Sequence, residues 1–184
     1  MTTAQAAQLR DRAIAAARAG DGERASALFD QAVASAPSDA SILNSAANHW
    51  ARSGDTERAT RLLKTAVAVE PKAAEPLLNL AILLTGAGDA AGALDLLRPQ
   101  EHRMGKLRRY WSIRAGAERA IGAKRDALAS HERAVSIEPA HPAALEGRAR
   151  LALETGVDAR EHYRAALAAA PGQATAVLGY GQAL

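Results

Sequence analysis

The sequence has no cysteine. That excludes disulfides, thiolate metal sites and cysteine nucleophiles. Aromatic residues are nearly as scarce, with one Phe, two Trp and three Tyr in 184 residues. So few rings do not make the stacking platforms that hold single-stranded nucleic acid. The net charge of +3, from 23 basic and 20 acidic residues, is too small for the electrostatic footprint of a duplex binder. No nucleic-acid partner is expected. The most apolar of the charge-free runs lies between Glu75 and Asp89 and spans 13 residues, too short to cross a bilayer. The first residues, MTTAQAAQLRDR, lack a basic segment followed by an apolar one. The expectation is a cytoplasmic protein with no membrane partner.

What is abundant is alanine, with 48 of 184 residues. Alanine has the best helix propensity and a very small side chain, so an Ala- and Leu-rich chain points to helices that approach closely. The residues also recur at a fixed interval. Gly20, Gly54, Gly88, Gly122 and Gly156 are each separated by 34 residues. Ala13, Ala47, Ala81, Ala115 and Ala149 keep the same interval, as do Ala25, Ala59, Ala93 and Ala127. Pro37 and Pro71 stand one interval apart, and Pro139 lies two intervals beyond Pro71. Each ladder has a physical role. The Gly closes a helix in the left-handed conformation. Asp21, Asp55 and Asp89 follow three of the glycines and can cap the next helix. The alanines sit where helices cross. The Pro stops the second helix of each unit.

A 34-residue helix–turn–helix period with these residues resembles the tetratricopeptide repeat (TPR). The units read 6–39, 40–73, 74–107, 108–141 and 142–173, with a partial unit at 174–184. Unit 40–73 fits best, with Leu43, Ala46, Ala47, Trp50, Ala59, Leu63, Ala66 and Pro71 in register. The resemblance implies an all-α, right-handed TPR superhelix (an α-solenoid) of about five and a half repeats forming a single domain. Three departures stand out. Pro99, Gln100 and Gly105 interrupt the third unit, which predicts a short helix and a loop near 98–107. The helical turn of the fifth unit is two residues shorter. The sequence ends in the first helix of a unit without a polar capping helix, which predicts a fragment of a longer protein or an end that packs on something else.

The resemblance implies a protein-interaction scaffold of bacterial type, with a partner peptide or protein segment in the concave groove lined by the first helices. The groove candidates are Asn44, Asn48, Arg52, Asn79, Ile82, Arg109 and Ile113. An Asn offers both donor and acceptor, so it can grip a peptide backbone without reading its side chains. In TPR proteins that hold a peptide C-terminal carboxylate, two asparagines and three basic residues do the work. Asn48, Asn79 and Arg109 fall on three of those positions, while Asn44 and Ile113 stand where Lys and Arg are expected. Generic peptide binding is therefore the favoured reading, with Ile14, Leu78, Ile82 and Ile113 as apolar contacts.

The stretch RPQEHRMGKLRRYWSIR, 98–114, holds six basic residues against Glu101. A solvated loop and helix face explain it most simply, and an acidic partner segment or a phosphate is the functional alternative. Trp111 falls on a core position. The histidines make no metal-binding pair, and His131 stands where the repeat places a packed aromatic. No catalytic motif, metal ligand set or cofactor fingerprint is present, so the chain is not expected to be an enzyme. Segments such as YWSIRAGAERAIG are similar to TPR portions that precede a sulfotransferase domain. That makes an adaptor region of a larger enzyme the second reading. A homodimer through the C-terminal helix is the third.

Overall fold

The Gly-Asp pairs turn the chain by bonding in two directions at once. At Gly20 the backbone has φ +82°, and the Gly20 and Asp21 N–H groups donate back to the Ala17 and Ala16 carbonyls at 3.3 and 3.0 Å. This paired closure satisfies carbonyls that the helix end would leave bare. The Asp21 carboxylate then accepts from the Arg24 N–H at 3.1 Å and caps the following helix. Gly54 and Asp55 repeat the arrangement, with Asp55 accepting from the Arg58 N–H at 3.0 Å. Two adjacent residues thus end one helix and begin the next.

In the computed structural model, which describes residues 2–184, the chain forms twelve α-helices and, among these residues, no strand. It divides into two compact units, Met1–Leu84 and Thr85–Leu184. The first holds α1 (Thr3–Arg18), α2 (Gly22–Ser35), α3 (Ala40–Arg52), α4 (Thr56–Val69) and most of α5 (Ala74–Gly86). Its helices meet on small residues. Ala13, Ala25, Ala46, Ala47 and Ala59 are fully buried, and Phe29 fills the space between α1, α2 and α3. A second small cluster joins Ala6, Ala32 and Ile42. Asp39 caps α3 by accepting from the Ser41 and Ile42 N–H groups, both at 3.0 Å. The His49 ring lies 5.1 Å from both Phe29 and Trp50, and its Nε2 is 2.9 Å from Ser26 Oγ. Burial, helped by Arg52, lowers the His49 pKa. Arg58 lies over the Trp50 ring at 3.8 Å and pairs with Asp30.

The second unit contains α6 (Ala90–Leu97), a 3₁₀ turn at Arg98–Gln100, α7 (Glu101–Met104), α8 (Arg108–Ala120), α9 (Lys124–Ile137), α10 (Pro142–Glu154), α11 (Arg160–Ala169) and α12 (Ala174–Ala183). The short helix expected in the third unit is present as α6, with 8 residues, but the loop expected near 98–107 is largely helical. Pro99 sits in the first turn of the 3₁₀ segment, where its missing N–H is not needed. Side chains of α8 then pin the segment. Tyr110 Oη donates to the Leu97 carbonyl at 3.3 Å, and Trp111 Nε1 donates to the Gly105 carbonyl at 2.8 Å. Met104 is buried beneath it. Gly105 is needed for room: a Cβ there would lie 2.6 Å from the Glu101 carbonyl oxygen. The fifth repeat also departs from expectation. Its turn is not shortened. The chain is irregular from Gly156 to Ala159, and α11 has 10 residues where α9 has 14. The missing residues come from the first turn of the helix.

A polar network runs through this unit. Arg114 donates to Glu101 at 2.6 Å and to the buried Glu118 at 2.8 Å, and Ser130 Oγ donates to Glu118 at 2.6 Å. Burial opposes the Arg114 charge, but its bonds to Glu118 and Glu101 outweigh that and raise its pKa. Two rings of the second helices are laid on glycines. His131 rests on Gly147 of α10, and Tyr163 rests on Gly179 of α12; a Cβ at either glycine would collide with the ring. His131 is buried as packing, and its Nδ1 has no partner among the described residues. Burial, then Arg150, pushes its pKa down to about 4. On α12, Val177 and Leu178 are exposed.

Gly147→Ala should destabilise the protein by about 1–3 kcal/mol, because the buried His131 ring has nowhere to move. Gly116→Ala, in the same kind of helix with open space around it, should be neutral or stabilising by up to about 1 kcal/mol. Equal melting temperatures for the two variants would refute the close-approach argument. His131 is neutral when folded, and the unfolded chain binds its proton more readily. Its contribution is thus fully present above the ordinary value of 6.5 and is lost as pH falls toward about 4. Chemical denaturation at pH 7 and pH 4 should show His131→Phe losing up to about 3 kcal/mol less than the parent. An identical loss in both proteins would contradict it.

Candidate peptide-binding face

The sequence places Asn44, Asn48 and Arg52 at four-residue spacing, so they share one stripe of α3. Asn79 stands 31 residues after Asn48, on α5. In the structure these positions meet. Asn79 is buried, and its Nδ2 donates to Asn44 Oδ1 at 2.8 Å and to Asn48 Oδ1 at 3.2 Å. One buried amide therefore holds both carbonyls of its neighbours. The NH₂ groups of Asn44 and Asn48 make no hydrogen bond among the described residues, and Asn48 is exposed. The three amides thus have a defined polarity: acceptors turned inward to α5, donors left over for something else.

Two open depressions flank this ridge. One, of about 380 Å³, is lined by Asn48, Ala51, Arg52, Leu63, Asn79, Ile82 and Leu83. Its floor is Leu63 of α4, which is 1% exposed, while Ile82 at 44% stands on its wall. Arg52 is exposed at its edge and forms no ion pair among the described residues. The other depression, of about 300 Å³, is lined by Asn44, Ser41, Glu70, Glu75 and Pro76 among others. Ser41 is held by Arg10, whose guanidinium donates to its Oγ at 2.9 Å.

Five of the seven residues singled out from sequence, Asn44, Asn48, Arg52, Asn79 and Ile82, therefore lie together on the α3–α5 face of the first unit. Arg109 and Ile113 lie one turn apart on α8 of the second unit, both half-buried. Leu78, expected as an apolar ligand contact, is 1% exposed and belongs to the core. Ile14 is half-buried against the Phe29 cluster. The helix α5 buries Pro76 to Ala81 without a gap, so its periodicity does not reveal which side is open. Sequence reasoning missed Ala51, Leu63 and Leu83 as lining residues. Leu63 carried a signal as a ladder-adjacent core residue, but nothing in one dimension says that its far side floors a depression. Among the described residues, no helix is long and apolar enough to cross a membrane, and no group of acidic and histidine side chains could hold a metal ion.

Two sequence profiles described as Tetratricopeptide repeat match the chain, at residues 10–59 and 51–116, and together they span more than half of it. No curated protein sequence matches. Solved structures with the same fold include MamA from Desulfovibrio magneticus RS-1, at 16% identity and TM-score 0.79, covering 92% of this chain and 97% of that one. TTC0263, a TPR protein of Thermus thermophilus, superposes at TM-score 0.75 with 23% identity, over 97% of this chain and 98% of its own. YrrB, described as a TPR protein with an unusual peptide-binding site, superposes at TM-score 0.73 with 16% identity, over 94% and 90%. The profile matches, the 34-residue ladders and the paired helices agree: the chain is a tetratricopeptide-repeat protein, an all-α array of repeated helix pairs.

Proposed function

We propose that the chain is a protein-interaction module that holds an extended segment of a protein partner on its α3–α5 face. The observation that carries this reading is the orientation of the three amides. Because Asn79 engages the carbonyls of Asn44 and Asn48, the free groups are N–H donors, and the natural complement of two such donors is the carbonyl row of an extended peptide backbone. Ile82 and Leu83 offer apolar contact beside them, and Arg52 favours an acidic group or a chain carbonyl at that end. Arg109 and Ile113 remain proposed ligand contacts on the second unit. The peptide-binding site ascribed to YrrB, a protein of the same fold, supports the class of ligand. The alternatives raised by the sequence, an adaptor to a sulfotransferase-type enzyme domain and a homodimer through the C-terminal helix, have no comparable set of oriented groups behind them.

The test is selection from a displayed random-peptide library, comparing the parent protein with Asn44→Ala/Asn48→Ala. Neither side chain is buried, but their loss strips both acceptors from the buried Asn79 Nδ2, so the variant should lose about 1–3 kcal/mol of stability while keeping its helical content by circular dichroism. Each lost hydrogen bond is worth about 1 kcal/mol, so selected peptides should bind the double variant roughly tenfold more weakly or worse. Undiminished binding by the variant would remove the amides from the site.

A further inference from the structure

Of the basic residues between 98 and 114, most are already engaged. Arg103 donates to Gln100 Oε1 at 2.8 Å, Arg108 pairs with Glu138 at 2.9 Å, and Arg114 is taken up by Glu101 and Glu118. Arg98 is different. It is exposed and makes no hydrogen bond or ion pair among the described residues. Arg133 of α9 joins it, also exposed and without a carboxylate partner among them. The two border a depression of about 370 Å³, whose remaining lining is Trp111, Arg114, Glu118, Asp126, Ala129 and Ser130. Trp111, only 7% exposed, lies at its base, with the Arg114 guanidinium 5.1 Å and the Arg133 guanidinium 5.8 Å from the ring centre. Its indole N–H is tied to the Gly105 carbonyl at 2.8 Å, so the ring is fixed.

We propose that this depression of the second unit is a docking site for an acidic side chain, flanked by an apolar one, on a segment of a protein partner. The charges decide the class of anion. The buried carboxylate Glu118 is satisfied by Arg114 and Ser130. Arg98, Arg133 and Asp126 of the lining have no ion-pair partner among the described residues, two guanidiniums against one carboxylate, while Arg114 is shared by Glu101 and Glu118. That suits a single carboxylate, whose planar oxygens match a guanidinium fork. A phosphate dianion carries twice the charge and meets stronger repulsion from Asp126 and Glu118 than a carboxylate does. The exposed Ala129 of α9 supplies apolar contact for the neighbouring residue, and the nearly buried Trp111 ring serves as the reporter at the base of the depression. The site is separate from the α3–α5 face, and neither reading rests on the other.

Titration of the ¹⁵N-labelled protein with a blocked Leu-Glu-Leu peptide, its Leu-Gln-Leu counterpart and inorganic phosphate tests this. The glutamate peptide alone should shift the Trp111 indole N–H and the amides of residues 126–133 in a saturable manner, more weakly as salt is raised. Arg98→Gln/Arg133→Gln keeps the buried Arg114–Glu118 bond, so it should stay folded and bind about tenfold more weakly or worse. Asn44→Ala/Asn48→Ala should bind as the parent does. No saturable shift at Trp111, an equal response to the glutamine peptide, binding of phosphate in preference to glutamate, full binding by the arginine variant, or loss of binding in the asparagine variant would each overturn the proposal.

Discussion

Helices can lie side by side only as closely as the residues at their crossing allow. In this chain those residues are alanines. Ala13, Ala25, Ala47, Ala59, Ala115, Ala127 and Ala149 have no exposed surface. A longer side chain at any of them would open the gap and break the contacts on either side. The tight links depend on that spacing. Gly20 with Asp21, and Gly54 with Asp55, can close one helix and cap the next only because the two helices turn back at short range. The large side chains depend on it too. Phe29, Leu63, His131 and Tyr163 each fill what the alanines leave, and the last two require glycines opposite them. Where the helix pairs are this close, a single carbon decides whether a ring fits.

The same closeness shapes the polar groups. With the backbone satisfied inside the helices, side-chain donors and acceptors near a crossing must find one another or be left unpaired. Asn79 meets Asn44 and Asn48, and Glu118 meets Arg114 and Ser130. Both sets are more than structural cement, because satisfying the inner member fixes what the outer members present. In the first unit that leaves two N–H donors beside an apolar wall. In the second it leaves Arg98 and Arg133 unpaired next to a fixed indole. The two proposed surfaces are chemically distinct, one suited to backbone carbonyls and one to a carboxylate. Both arise where a polar cluster is complete on its buried side and open on the other.

The helix pairs, their links and their crossings were legible in the sequence, because each is set by residues close in the chain. Gly at left-handed φ, Asp after it and Ala at a fixed interval are local requirements that recur from repeat to repeat. The grouping of Asn44, Asn48 and Arg52 was legible for the same reason, since four-residue spacing on one helix is a local fact. Two readings failed where local signals mislead. Pro99 and Gly105 read as a loop, but Tyr110 and Trp111 of the next helix hold the segment in helical turns. The two residues absent from the fifth repeat came from α11 and not from the turn.

The amino-acid sequence by itself determined the repeat, the family and the small-residue crossings. Tertiary structure alone decided which side of α5 is open, that Leu78 is core while Ile82 is not, and that Asn79 turns the acceptors of its neighbours inward. It alone decided which arginines of the basic stretch are spent. The deciding contacts join separate helices, as in Asn79 with Asn44 and Asn48, Arg108 with Glu138 and Arg114 with Glu101. Periodicity brings such residues to the same height in the array. Which atoms then meet depends on rotamers and on the space left by neighbouring side chains, and no one-dimensional pattern carries that.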